Sequence, residues 1–143
     1  GYIYNNKGKY DQAIDDFNCA LSLNPELVEA YYNRGSAYFN KKDYDRAIRD
    51  YTQAINLLPD YIMSLNGRGL AYMKRGEYNR AVADFTEALN IDPYCYQSYS
   101  NRALAYYMNK EYDKALEDTK KLNEAGYNVD PAFLDILEKK VHR

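Results

Sequence analysis

The chain has 143 residues, 28 % of them charged, with a formal net charge of −2. Lys and Arg are spread among Asp and Glu, which argues against nucleic-acid binding, since phosphate backbones call for a basic excess or stripe. No apolar run approaches the ~20 residues of a membrane span, and no leader pattern opens the chain, so membrane insertion is not expected.

Read from the first residue, the chain repeats itself. "GYIYNNKGKYDQAIDDFNCALSLNPE" opens at Gly1, "YYNRGSAYFNKKDYDRAIRDYTQAINLLPD" runs from Tyr31 to Asp60, and "LNGRGLAYMKRGEYNRAVADFTEALNIDP" runs from Leu65 to Pro93. A further version begins at Tyr99. The period is 34: Tyr4, Tyr38, Tyr72 and Tyr106 form one column, as do Tyr10, Tyr44, Tyr78 and Tyr112. Ala13, Ala47, Ala81 and Ala115 form another, and Pro25, Pro59 and Pro93 close the units. The column Phe17, Tyr51, Phe85 is broken by Thr119, and the column Ala20, Ala54, Ala88 ends in Leu122.

Within a unit the apolar spacing is helical. Tyr31, Gly35 and Tyr38 share one face; Tyr44, Ala47, Ile48, Tyr51, Ala54 and Ile55 share another. The polar break "NKKD" between them fits a tight turn joining antiparallel helices. Gly35, Gly69 and Ala103 allow close approach of the paired helix. Asn24-Pro25 and Asp92-Pro93 read as helix starts, a polar cap followed by proline at the first helical position. Helices are expected at 10–23, 26–40, 44–57, 60–74, 78–91, 94–108, 112–125 and 131–142, with a short remnant before residue 7. The last carries Phe133, Leu134, Leu137 and Val141 on one side and reads as a cap on the stack. Each pair exposes an edge that only a neighbouring pair can cover, so the fold class is all-α, a right-handed superhelical solenoid of antiparallel helix pairs.

These columns resemble the tetratricopeptide repeat family across residues 1–126. The units would be a partial repeat at 1–27, complete repeats at 28–61, 62–95 and 96–129, and a capping helix at 130–143. The chain starts at the small-residue column with Gly1, which suggests a piece of a longer array. Thr119, Leu122 and Tyr127 depart from the family's aromatic, alanine and proline. The resemblance implies that the first helix of each pair lines a concave groove.

Residues offset from the packing stripe are the candidate partner-binding set. In the first complete repeat they are Tyr32, Asn33, Ser36 and Phe39; in the second, Met63, Asn66, Leu70, Met73 and Lys74. In the third they are Gln97, Asn101, Leu104, Tyr107 and Met108. Tyr2, Tyr32 and Tyr107 stand outside the recurring tyrosine columns, and all three methionines fall on groove positions. Tyrosine is a low-entropy anchor and methionine an adaptable one. Asn33 and Asn101 share a column, with Asn66 one residue before it, and an amide row can hold a peptide backbone without reading its sequence. Gly67 interrupts that row. Chaperone-binding members carry a two-lysine, two-asparagine and arginine clamp; Tyr32, Ser36, Gly67, Gln97 and Asn101 stand there, with no cation among them.

Arg34, Arg68 and Arg102 recur as well, each flanked by small residues, in register with Asp16, Asp50, Asp84 and Asp118. They are expected to form an Arg–Asp ladder inside the stack. No catalytic set, metal site or cofactor motif stands apart from the repeat. Cys19 and Cys95 share no CxxC, and both read as free thiols of a reducing, cytoplasmic compartment. His142 reads as a solvated residue at a helix end. The expected function is that of a non-enzymatic interaction module, a scaffold or adaptor binding a protein segment or helix. The alternative is a substrate-recruiting or autoinhibitory arm of an enzyme whose catalytic domain lies elsewhere. RNA binding is the weakest option, with Lys74 nearly alone as a groove cation.

Overall fold

The computed structural model describes the backbone of residues 2–142 and the side chains of residues 8–142. The expectations placed on Gly1, on the side chains of Tyr2 and Tyr4, and on Arg143 lie outside the described residues. Eight helices follow in order: α1 (Tyr2–Leu23), α2 (Val28–Asn40), α3 (Tyr44–Leu57), α4 (Ile62–Lys74), α5 (Tyr78–Ile91), α6 (Tyr96–Met108), α7 (Tyr112–Glu124) and α8 (Pro131–Val141). No strand occurs among the described residues.

Three turns of one design make the antiparallel pairs α2/α3, α4/α5 and α6/α7. Each first helix ends in a left-handed residue, Lys42 (φ 63°), Gly76 (φ 77°) or Lys110 (φ 63°). The next amide then reaches back to the last turn, as Asp43 N donates to Tyr38 O at 2.9 Å and Glu77 N to Tyr72 O at 2.9 Å. This closure satisfies carbonyls that the helix end leaves open and reverses the chain in about three residues.

Two expectations need correction. The structure has no separate remnant before residue 7: α1 runs unbroken from Tyr2 through Gly8. Residues 2–7 make fewer than two turns, so folding them back would bury little, while prolonging α1 keeps its backbone bonds paired. Nor do Asn24-Pro25 and Asp92-Pro93 start helices. Asn24 Oδ1 accepts from Glu26 N at 3.1 Å and Asp92 Oδ1 from Tyr94 N at 2.9 Å, each forming a side-chain turn. The helices begin later, after Leu27 and Cys95, with no side-chain cap. A polar residue before proline favours a turn as readily as a cap, and here the turn wins. Asp130-Pro131, by contrast, does start a helix: Asp130 accepts from Ala132 N at 2.9 Å, and Pro131 opens α8.

The core runs along the repeat axis. Ala47, Ala81 and Ala115 are fully buried, as are Ala54 and Ala88, because the helices meet too closely there for larger side chains. Aromatic rings fill the remaining holes. Phe85 is 0 % exposed and Tyr51 3 %, and full burial of such a ring contributes about 1.5–3 kcal/mol. A Cβ on Gly69 would lie 2.6 Å from the Phe85 ring, and one on Gly35 would lie 3.0 Å from Tyr51. Glycine is therefore a packing requirement at both places.

The arginine ladder forms as expected for three of its four carboxylates. Arg34 makes two bonds of 2.7 Å to Asp50; Arg68 binds Asp84 at 2.9 and 2.7 Å; Arg102 binds Asp118 at 2.7 and 2.8 Å. The third nitrogen reaches back to the preceding second helix: Asn18 at 2.8 Å, Thr52 at 3.1 Å and Thr86 at 3.0 Å. Each guanidinium thus ties its own pair to the previous one through bidentate, charge-assisted bonds. Hydrogen bonding to the aspartate raises the pKa of Arg34 and Arg68 against the pull of burial. At Arg102 burial pulls the pKa down, but the bonds and charge of Asp118 leave it raised. Asp16, in the same column, is exposed and takes no part.

Helix spacing gives the stack its curvature. Backbones of the first helices approach within 8 Å, α2 to α4 and α4 to α6, whereas no two second helices come so near. The first helices therefore line the inner side. Among the described residues no helix is long and apolar enough to cross a membrane.

Candidate functional site

The inner face is built by α2, α4 and α6, and the candidate residues divide there into two groups. Some belong to the stack. Tyr32 packs against Tyr51 and Tyr61, with ring centroids 5.8 and 5.6 Å away. Ser36 Oγ bonds the Tyr32 carbonyl at 3.0 Å and lies 3.2 Å from the Tyr51 hydroxyl. Burial, only partly offset by Ser36, pushes the Tyr51 phenol up to about 12. Phe39 meets Tyr44 edge-on at 5.4 Å. Leu70 and Met73 pack on the cluster of Ala81, Phe85 and Ala105. Tyr107 touches Tyr112 at 5.7 Å and, from α8, Phe133 at 5.5 Å.

The asparagines also separate. Asn66 is engaged, accepting from Ser98 Oγ at 2.8 Å and lying 3.8 Å from Cys95 Sγ, so it links α4 to α6. Asn33 is exposed. Asn101 Nδ2 is buried with no hydrogen-bond partner. Gly67 has a packing reason: a Cβ there would stand 2.7 Å from the Tyr51 ring. The break in the asparagine row is the space taken by that ring.

The second group stays open. Met63 is 50 % exposed, Leu104 45 % and Met108 46 %. Lys74 and Gln97 are exposed, and Lys74 stands at the end of α4. Leu104, Gln97 and Asn101 also line a cleft of about 750 Å³ between α6, α7 and the 127–130 loop. Phe133 and the buried Ala103, Thr119 and Leu122 also line it, and Tyr96 meets Tyr127 at a tilt, 4.2 Å between ring centroids.

The cleft was missed as a site, although its signal is in the columns. Thr119, Leu122 and Tyr127 are the positions where the last repeat breaks the pattern. Where the paired helix needs an aromatic ring, Thr119 supplies a short side chain whose hydroxyl returns to Ala115 O at 2.6 Å. α7 also ends differently from α3 and α5. Those two stop in an extended residue, Leu58 or Asp92. α7 instead closes on Gly126 (φ 84°), with Tyr127 N donating to Leu122 O at 3.1 Å. The altered exit carries α8 away, and its backbone does not approach α6 within 8 Å as α4 does.

Chemically the face offers apolar contact and neutral amides. Among the described residues no group of His, Cys, Asp and Glu could hold a metal ion. Cys19 and Cys95 are free thiols.

Comparison with known proteins points the same way. A family model described as TPR repeat matches residues 1–42, and one described as tetratricopeptide repeat matches residues 28–61 and 62–95. No curated protein matches the sequence. Among solved structures, a MamA crystal structure is 30 % identical, with 82 % of this chain and 72 % of that one covered and a TM-score of 0.69. The first TPR of Spaghetti (RPAP3), bound to the HSP90 peptide SRMEEVD, is 21 % identical over 81 % of this chain and 94 % of that one, with a TM-score of 0.76. MamA 41-end from Desulfovibrio magneticus RS-1 is 23 % identical with a TM-score of 0.74; the match covers 80 % of this chain and 64 % of that structure. With the 34-residue columns, the stacked helix pairs and these matches together, the chain belongs to the tetratricopeptide repeat family.

Proposed function

We propose that the inner face of α2, α4 and α6 binds a segment of a partner protein, extended or helical, and that the chain acts as a non-enzymatic scaffold or adaptor. Membership in a family of interaction modules supports the general role. The observation that carries the finer reading is the exposure of Met63, Leu104 and Met108 on one face. Apolar side chains left half in water are suited to desolvation by a guest.

The acidic peptide in the Spaghetti structure belongs to a mode that this face does not favour. Tyr32, Ser36, Gly67, Gln97 and Asn101 supply no cation to meet a terminal carboxylate. A guest with apolar anchors and few carboxylates suits it better.

The test is a Met63→Glu/Met108→Glu double variant, compared with wild type by thermal melting and by capture of partner segments followed by peptide mapping. Both side chains are about half exposed, so the melting temperature should change little. Loss of two anchors worth about 1.5 kcal/mol or more each should weaken binding about a hundredfold or more. Retention of the same mapped segment at the same affinity would move recognition to another surface.

A further inference from the structure

We propose that the segment bound on the inner face is an amphipathic α-helix with opposite charges at its two ends. The proposal rests on the groove reading and adds the conformation and charge pattern of the guest.

The open apolar side chains form one diagonal strip. Met63 and Leu70 carry it on α4, and Leu104 and Met108 carry it on α6. Leu70 and Leu104 share a column of the repeat, so the strip passes from one helix to the next there. Met108 repeats position 74, eleven residues beyond Met63. That offset is about 16 Å along the helix axis. With one helix spacing of about 10 Å to cross, the diagonal is about 19 Å, the length of about three and a half helical turns.

An extended guest is poorly served by this strip, because a desolvated main chain needs a partner for each N–H and C=O. Gly67 has no side chain to offer, and the Asn101 Nδ2 is buried. Ser36 is bonded to the Tyr32 carbonyl, and Asn66 already accepts from Ser98. Asn33 and Gln97 are exposed but stand off the diagonal, on α2 and at the start of α6. A helix pairs its own backbone and presents an apolar side chain every three or four residues, which is what the strip can cover.

Charge supplies the complement at the two ends. Apart from the ladder arginines, the charged residues of α2, α4 and α6 are Glu29 and Lys74, both exposed. Glu29 stands in the column of Met63 on the neighbouring helix, and Lys74 in the column of Met108. An anion therefore flanks one end of the strip and a cation the other. A guest helix with a basic residue at one end and an acidic residue at the other meets both.

The probe is a stapled helical peptide of about fourteen residues, with leucine at every third or fourth position, lysine in its first turn and glutamate in its last. Fluorescence anisotropy at low ionic strength, where surface charges are least screened, compares it with an unstapled isomer whose leucines alternate. Stapled versions with lysine at both ends or glutamate at both ends complete the set. The first peptide should bind saturably, with the alternating isomer weaker on the order of tenfold. The like-charged versions should be weaker by about threefold. In a Lys74→Glu variant, an exposed change, the preference should pass to the peptide with lysine at both ends. Equal or tighter binding of the alternating isomer, a charge preference that Lys74→Glu leaves unchanged, or no saturable binding by any stapled helix would overturn the proposal. The Met63→Glu/Met108→Glu variant separates this outcome from failure of the groove. Binding of the alternating isomer that this variant abolishes keeps the groove and removes the helix, whereas stapled-helix binding that survives it removes this face.

Discussion

The junction between α4/α5 and its neighbours and the junction at α7/α8 follow one repeat template, yet the first is closed by aromatic rings and the second by smaller side chains. In the closed one, Phe85 is wholly buried against Gly69, and Tyr51 is buried against Gly67. In the second, Ala103 and Thr119 stand in those columns and are buried too, Leu122 replaces the alanine of its column, and α7 exits through Gly126. A cleft of about 750 Å³ lies alongside. The difference teaches that ring and glycine act as a pair. The large side chain requires the missing one opposite it, and exchanging both for medium residues, with Leu122 beside them, keeps the helices together.

The strongest way to break this comparison is to empty the closed junction. Phe85→Ala should cost about 3–5 kcal/mol, because a fully buried ring leaves a cavity behind. Thr119→Ala at the equivalent position should cost about 1 kcal/mol, the scale of one hydrogen bond. Paired denaturant melts measure both. Similar losses would mean that the two junctions are packed alike.

The next effect is on the glycine side. Gly69→Ala forces a Cβ to within 2.6 Å of a ring that cannot move outward, and overpacking of that kind costs about 1–3 kcal/mol. Ala103→Gly should cost about 1–2 kcal/mol, from helix propensity and one lost buried methyl. The contrast is read from the same melts, and equal losses would count against the pairing rule.

A finer probe uses alkaline pH. The Tyr51 phenol is pushed from 10.0 to about 12, chiefly by burial. Below pH 10 the group is neutral in both states and has no effect. Between pH 10 and about 12 the unfolded chain ionises there while the folded chain does not, so stability falls as pH rises, by on the order of 2 kcal/mol. Tyr51→Phe should remove that increment from the pH profile. An unchanged slope would place Tyr51 in contact with water.

Much of this arrangement was legible in the sequence, because a solenoid repeats its reasons. The 34-residue columns give the helix pairs, the small residues and the Arg34, Arg68 and Arg102 ladder from pattern alone. Local choices were harder. Asn24-Pro25 has the composition of both a cap and a turn, and only the path of the chain decides between them. The open residues Met63, Leu104 and Met108 lie about 70° round the helix from the packed residues Tyr32, Met73 and Tyr107, so helical phase already parts the two sets. What the phase does not name is the neighbour that covers the packed set, such as Tyr61 beside Tyr32 or Phe133 beside Tyr107. That neighbour lies outside the helix it covers. The cleft itself was visible only as three broken columns.

The central claim is that recognition takes place on the inner face. Photo-crosslinking tests it most directly, with p-benzoylphenylalanine placed in turn at Leu104 and at Lys120, both exposed, the first on α6 and the second on the outer helix α7. The account predicts that a partner segment crosslinks from position 104, while position 120 gives none. Crosslinks from position 120 with none from position 104 would contradict it.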